Sequence, residues 1–309
     1  MPTFSHAISG LGWLLVAGTL CVLPAGCGDD SASRARTPTG ESSPPPAEAV
    51  RMFHNCKAGS KRRELVFDRL KFRSAKAGST TREITEVINN FERHIEVIEV
   101  SEDGTVQRAR IKYDKADMRV SRNVSPDTDE MGKFRSGVSF LSVAELNYSI
   151  SDGALKCQVS DQHMKYVQVK AEVARGEPFL NPIVPDRDVK IGDTWVVDGQ
   201  RLARFLSQRD LRGTSADGSA TAVEIQESID GRRLLEVTFK GKFAGEWTPE
   251  AGSATQFNGE LTGVLRWDIE ASRVYVMDYT DTMSLKYMFE GAEVEVTREH
   301  QVSTRFRYE

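Results

Sequence analysis

In the last third of the chain every second side chain is apolar, and the alternation runs unbroken for unusually long stretches. Leu235, Val237, Phe239, Gly241, Phe243, Gly245 and Trp247 share one face, with Glu236, Thr238, Lys240, Lys242 and Glu246 on the other. Phe257, Gly259, Leu261, Gly263, Leu265, Trp267 and Ile269 repeat the pattern, as do Met283, Leu285, Tyr287 and Phe289, and then Val294 and Val296. Side chains alternate across a strand, so period two over such lengths predicts antiparallel strands with one dry and one wet face. Asp230-Gly231, Glu270-Ala271-Ser272 and Glu290-Gly291 supply turns between the runs. Residues 219–309 are therefore expected to form about five consecutive up-and-down strands. The glycines at 241, 245, 259 and 263 fall on the apolar face, where they favour sheet curvature or admit another group close to the backbone.

The first part of the chain is similar. Leu65, Phe67, Leu70 and Phe72 suggest a strand with an irregularity. Ile84, Val87, Ile88, Phe91 and Ile95 fit helical spacing, but the segment is rich in β-branched residues and runs into Glu96–Val100 without a cap, so a strand is expected. Asp103-Gly104 turns into a returning run of Val106, Ala109, Ile111 and Tyr113. Further strands are expected around Val138, Phe140, Val143, Leu146, Tyr148 and Ile150, with a turn at Asp152-Gly153. Two helices are expected between the sheet-rich parts. One is capped by Ser160 and carries Met164, Val167, Ala171 and Ala174, with Gly176 beyond its end; a shorter one holds Leu202, Phe205 and Leu206. A Pro-rich connection from Pro178 to Pro185 lies between them. The fold class is mainly β: long antiparallel strands forming a curved sheet or an open or closed barrel, with one or two short helices between halves 51–159 and 186–309.

The segment Val189-Lys190-Ile191-Gly192-Asp193-Thr194-Trp195, preceded by Pro182 and Pro185, resembles a signature found in uncharacterised, β-rich exported bacterial proteins and lipoproteins. The resemblance implies a layout of hairpins and long strands and no particular reaction. Gly192-Asp193 suits a tight turn with the Trp195 ring packed behind it; a site lined by Asp193 and Trp195 is the functional alternative.

The N-terminus has a different character. The first 28 residues contain no Asp, Glu, Lys or Arg, and Leu11 to Gly26 are apolar or small. This is the composition of a signal peptide over residues 1–26, too short and too broken by Gly and Pro for a membrane span of about 20 residues. Leu23-Pro24-Ala25-Gly26-Cys27 resembles the lipobox of bacterial lipoproteins. The resemblance implies cleavage before Cys27 and a diacylglycerol (palmitate-type) anchor on its thiol. Pro24 departs from the pattern, because the usual Leu stands one place earlier. Gly28 rather than Asp follows the cysteine, which by the same resemblance favours an outer-membrane lipoprotein facing the periplasm or cell surface in a Gram-negative host. Residues 27–50, rich in Ser, Thr and Pro, then form a polar tether with little to bury.

Residues 51–309 suffice for one large β-rich globular domain or two small ones. The net charge of −4 lacks the basic excess a nucleic-acid partner requires. Of four cysteines, Cys21 leaves with the leader and Cys27 carries the anchor, leaving Cys56 and Cys157. In an oxidising compartment these two form either a disulfide or two separate buried thiols. A bridge would close a loop of about 100 residues, with up to about 4.7 kcal/mol in the chain-entropy model.

No Gly-x-Ser-x-Gly, His-Glu-x-x-His, phosphate loop or Cys-x-x-Cys occurs. His54, His94, His163 and His300 are widely separated in sequence. The acidic residues number 45, so carboxylate pairs arise by chance, and most are expected on wet strand faces beside Lys or Arg. The expectation is a non-enzymatic envelope lipoprotein without cofactor or metal. It is held to the membrane through its anchor and has a structural or interaction role, with a lipid or a protein in the envelope as partner. The alternatives are an apolar-ligand binder built on a curved-sheet cavity and an enzyme with an unrecognised site.

Overall fold

The structure is a computed structural model. It describes residues 48–53, 57–79, 81–102, 106–125, 133–138, 141–151, 154–164, 181–206, 211–247, 255–289 and 291–308. The strands are β1 (Val50–Met52), β2 (Lys61–Lys76), β3 (Arg82–Val100), β4 (Val106–Ser125), β5 (Arg135–Val138), β6 (Glu145–Ser151) and β7 (Ala154–Gln158). They continue as β8 (Arg187–Val189), β9 (Thr194–Val197), β10 (Leu211–Glu227), β11 (Arg233–Trp247), β12 (Thr255–Asp268), β13 (Arg273–Phe289) and β14 (Ala292–Tyr308). Two short helices, α1 (Asp161–Met164) and α2 (Gly199–Leu206), accompany them. The leader, the Cys27 lipobox, most of the tether, Cys56, Asp103-Gly104, Asp152-Gly153 and residues 165–180 lie outside the described residues.

Eleven strands follow the order β7-β6-β4-β3-β2-β14-β13-β12-β11-β10-β9, and β5 adds to β4 to make a 12-stranded sheet. Every pairing is antiparallel. The five-strand C-terminal meander is β10 to β14, as its alternation predicts. The uncertain segment after residue 80 is strand β3, 19 residues long, or about 60 Å at the usual rise per residue. The two sheet-rich parts join in one sheet. The last strand, β14, pairs along its length with β2, from Val294↔Lys76 to Tyr308↔Arg62. Among the described residues β7 and β9 end the path without meeting, so the sheet is curved and open rather than a closed barrel.

Two expectations need correction. β2 has no register shift against either neighbour. Leu65 and Phe67 simply face away from Leu70 and Phe72, and the apolar face continues through Glu64, Val66 and Asp68, all buried. Val143 belongs to a 3-10 turn, Leu141–Val143, rather than to a strand. The Leu202 helix is present as α2, where the Asp198 carboxylate accepts the Arg201 backbone N–H at 2.8 Å. An N-terminal cap of this kind satisfies one of the donors a helix start leaves open.

The apolar face of the sheet is covered from within the chain. One cluster gathers Phe239, Phe243, Phe257, Leu261, Leu265 and Trp267 from the meander with Trp195, Leu202 and Leu206. Met52 and Val189 join it from the small β1–β8 sheet, whose register pairs Val50 with Val189. A second cluster, at the other end of the long strands, holds Val66, Phe91, Ile95, Ile111, Leu146 and Val302.

Gly218, Gly241, Gly259 and Gly263 of the apolar face are slots for neighbouring side chains. A Cβ on Gly259 would lie 2.2 Å from the Phe243 ring and 2.5 Å from the Thr282 carbonyl oxygen; one on Gly263 would lie 2.4 Å from the Phe239 ring. Leu202 of α2 fits the same way over Gly218 and Gly241. Close-packed interiors leave no room for such additions. Gly259→Ala is therefore expected to destabilise the fold by about 1–3 kcal/mol, read from the midpoint of urea unfolding. An unchanged midpoint would mean that Phe243 does not occupy the slot.

Candidate functional site

Cys27 and Cys56 lie outside the described residues. Cys157 sits on β7 opposite Tyr148 of β6, half-buried against the second apolar cluster. Gly192 has φ 92°, and Asp193 closes the turn by accepting the Lys190 N–H at 3.0 Å. Trp195 is buried and its indole N–H donates to the Ile183 carbonyl at 3.0 Å. Both residues of the motif are thus engaged in a turn and its core plug.

The long strands bring together charged residues that are distant in sequence. Asp68 of β2, Asp281 of β13, and Arg298 and His300 of β14 are all buried on the apolar face. His300 Nδ1 lies 2.9 Å from Asp281 Oδ2, and His300 Nε2 lies 3.4 Å from Asp68 Oδ1. Arg298 pairs with the other oxygen of Asp281. Asn89 of β3, fully buried, stands opposite Asp68. These residues form a belt between the two apolar clusters: along β2 the order is Val66, Asp68, Leu70, and along β3 Phe91, Asn89, Val87. Closer to the second cluster, Glu64 receives Arg93 at 2.7 Å and Arg62 at 2.8 Å.

Burial pulls the His300 pKa down, but the facing carboxylates of Asp281 and Asp68 outweigh it and hold it at about 9. Burial pushes Asp281 up, and the charges of Arg298 and His300 more than reverse that, leaving it below the usual carboxylate range. Glu64 is lowered in the same way, its burial overcome by Arg93 and Arg62. With two carboxylates, one guanidinium and one imidazolium, the belt is neutral as a unit, the condition under which buried charge is tolerable.

The wet face of the meander holds an open groove of about 730 Å³. Two cross-strand rows line it, together with Ala216, Phe243, Gly259, Met283 and Arg298 from the alternate positions of the same strands. Asp217, Lys242, Glu260, Thr282 and Glu299 stand opposite one another in register, and Ser215, Ala244, Asn258, Ser284, Thr297 and Arg73 form the next row. The second row is short-chained up to Arg73, so the surface dips there. The groove presents hydroxyls, an amide and charges of both signs beside apolar surface from Ala216, Phe243 and Met283. Sequence reasoning placed Lys242 and Thr297 on the wet face and did not single out the others, whose alignment depends on the register.

Among the described residues one group of metal-capable side chains converges: Glu92, His94 and Asp114. The Glu-x-His spacing on one strand places the first two on one face, a signal present in the sequence.

No family model and no curated protein matches the chain. Among solved structures, lipovitellin, described with its lipid–protein interactions, is similar to 82% of this chain at 8% identity and a TM-score of 0.43. That match spans only 25% of the lipovitellin chain. Pseudomonas aeruginosa OccK7 matches 81% of this chain and 100% of its own at 7% identity, with a TM-score of 0.26. An outer membrane channel from Pseudomonas putida F1 matches 82% and 97% respectively at 9% identity, with a TM-score of 0.23. At such scores the likenesses have no bearing on what this chain binds or does.

His300→Ala is expected to cost about 3–5 kcal/mol, because it removes the cation between two buried carboxylates and leaves Asp281 with Arg298 alone. A folded-state pKa raised to about 9 confers stability that is complete below about pH 6.5 and is lost as pH rises through the raised value. The lowered Asp281 and Glu64 confer stability present above their unfolded values of about 3.9 and 4.3 and lost as pH falls through the lowered ones. The wild-type melting temperature should fall between pH 7 and 9.5, and His300→Gln should flatten that decline. An equal slope in both proteins would dissociate His300 from the alkaline loss.

Proposed function

We propose that this chain is a membrane-tethered lipoprotein of the bacterial envelope with a structural or interaction role and no enzymatic activity. Supporting it are the charge-free residues 1–26 that precede Cys27 and the polar Pro-rich stretch between that cysteine and the sheet. The observation that carries the interaction role is the difference between the two faces of the meander. Its apolar face is occupied by its own side chains, down to the glycine slots filled by Phe243, Phe239 and Leu202. Its polar face is left exposed and grooved. A protein built this way offers a partner the wet face, while the lipid on Cys27 sets where that face is displayed. Phe243 and Phe239 take up the space beside Gly259 and Gly263 that an apolar ligand would otherwise share.

Acylation by several chains would give stable anchoring, at about 0.8 kcal/mol per buried methylene. Labelled palmitate fed to the host is expected to enter the wild-type protein and not Cys27→Ser, and the variant should leave the membrane fraction or accumulate with its leader uncleaved. Unchanged labelling and sedimentation of Cys27→Ser would defeat the anchor.

A further inference from the structure

The geometry points to a divalent transition-metal site, with zinc as the ion its donors suit best, at Glu92, His94 and Asp114 on the face of β3 and β4 away from the ionic belt. Glu92 and His94 are two residues apart on β3 and share that face. Asp114 arrives from β4 through a β-bulge. Glu92 pairs with Lys115 and Arg93 with Tyr113, so Asp114 is the extra residue of the bulged strand. Bulges re-aim side chains in this manner, and here Asp114 Oδ2 is brought to 2.9 Å from His94 Nε2. One ligand atom from each of the three residues lies within 4.8 Å of the others.

The donor set is one imidazole nitrogen and two carboxylate oxygens. Zinc accepts both donor types, usually with water completing a four-coordinate shell. Bonds of about 2.0 Å hold tetrahedral ligand atoms ~3.3 Å apart. The Asp114 side chain is 53% exposed and His94 39%, so both have the rotational freedom to close that distance. Glu92, at 10% exposure, is the fixed member, held through one oxygen by the Arg63 guanidinium. A metal-ligating carboxylate commonly has such a partner, which orients it while its second oxygen stays available. Lys112 stands opposite His94 in register, but its ammonium is drawn off to Glu145 at 2.7 Å.

The test is calorimetric titration of Zn²⁺ alone into the full chain purified in detergent, with Co²⁺ absorption as a second readout. One saturable equivalent and tetrahedral Co²⁺ bands are expected. His94→Ala and Asp114→Asn should each weaken binding by about tenfold or more, whereas His163→Ala, at a histidine on α1, should leave it unchanged. Asp114 is mostly exposed, so its variant should keep the wild-type circular dichroism spectrum; His94→Gln provides a second folded variant. Absence of saturable binding, or affinity equal to wild type in both the His94 and Asp114 variants, would overturn the site.

Discussion

Strand β14 completes the sheet only by pairing with β2, and those two strands come from opposite ends of the folded chain. Closing so long a loop costs entropy before any contact forms, although the cost grows only slowly with loop length. What offsets it is two long strands zipped from Val294↔Lys76 to Tyr308↔Arg62, with the ionic belt on the dry side. The belt also fixes the register. A slip of one residue would turn His300 to the wet face and leave Asp68 and Asp281 buried without their cation. Apolar residues alone would tolerate a shift by two, which keeps the faces intact; Asp68, Asp281, Arg298 and His300 would not. Buried charge here specifies one pairing among several that hydrophobic patterning permits. A topology dominated by such distant pairings should fold slowly.

How much of this was legible in the sequence depended on whether each contact was local. The meander could be read strand by strand, because its faces alternate cleanly and Asp230-Gly231 marks a hairpin that the structure retains, with φ 77° at Gly231. β2 was harder to read, since Glu64 and Asp68 interrupt its apolar face and mimic an irregularity. The rule that charge marks the wet side fails where the charge is paired inside. The belt itself was invisible: its members lie on four strands, and the register that unites them depends on the β14–β2 pairing. The Gly192-Asp193 turn and its Trp195 plug were legible because a tight turn followed by a large ring is a local arrangement. The bulge that delivers Asp114 has no sequence signature of its own.

The glycines and the aromatics of the meander serve one purpose. A 12-stranded sheet must twist and curve, and curvature crowds the side chains on its inner face. Removing the side chain at Gly259 and Gly263 lets Phe243 and Phe239 lie across the neighbouring strand. The same device seats Leu202 and hence α2 over Gly218 and Gly241. Filling one face in this way leaves the rows of hydroxyl and charged side chains on the other exposed.

The belt and the Glu92–His94–Asp114 group are built from the same residue types in opposite circumstances. In the belt each buried carboxylate meets a cation of the chain, so the group is complete and its contribution is to stability and register. At the second group Arg63 engages Glu92 while Asp114 and His94 remain partly in water. Partial exposure keeps the desolvation cost low and the side chains mobile, conditions that suit acquiring an ion after folding rather than holding the fold together. Burial therefore separates the two groups: charge sealed beneath the sheet orders the strands, and charge at a half-open bulge keeps contact with water.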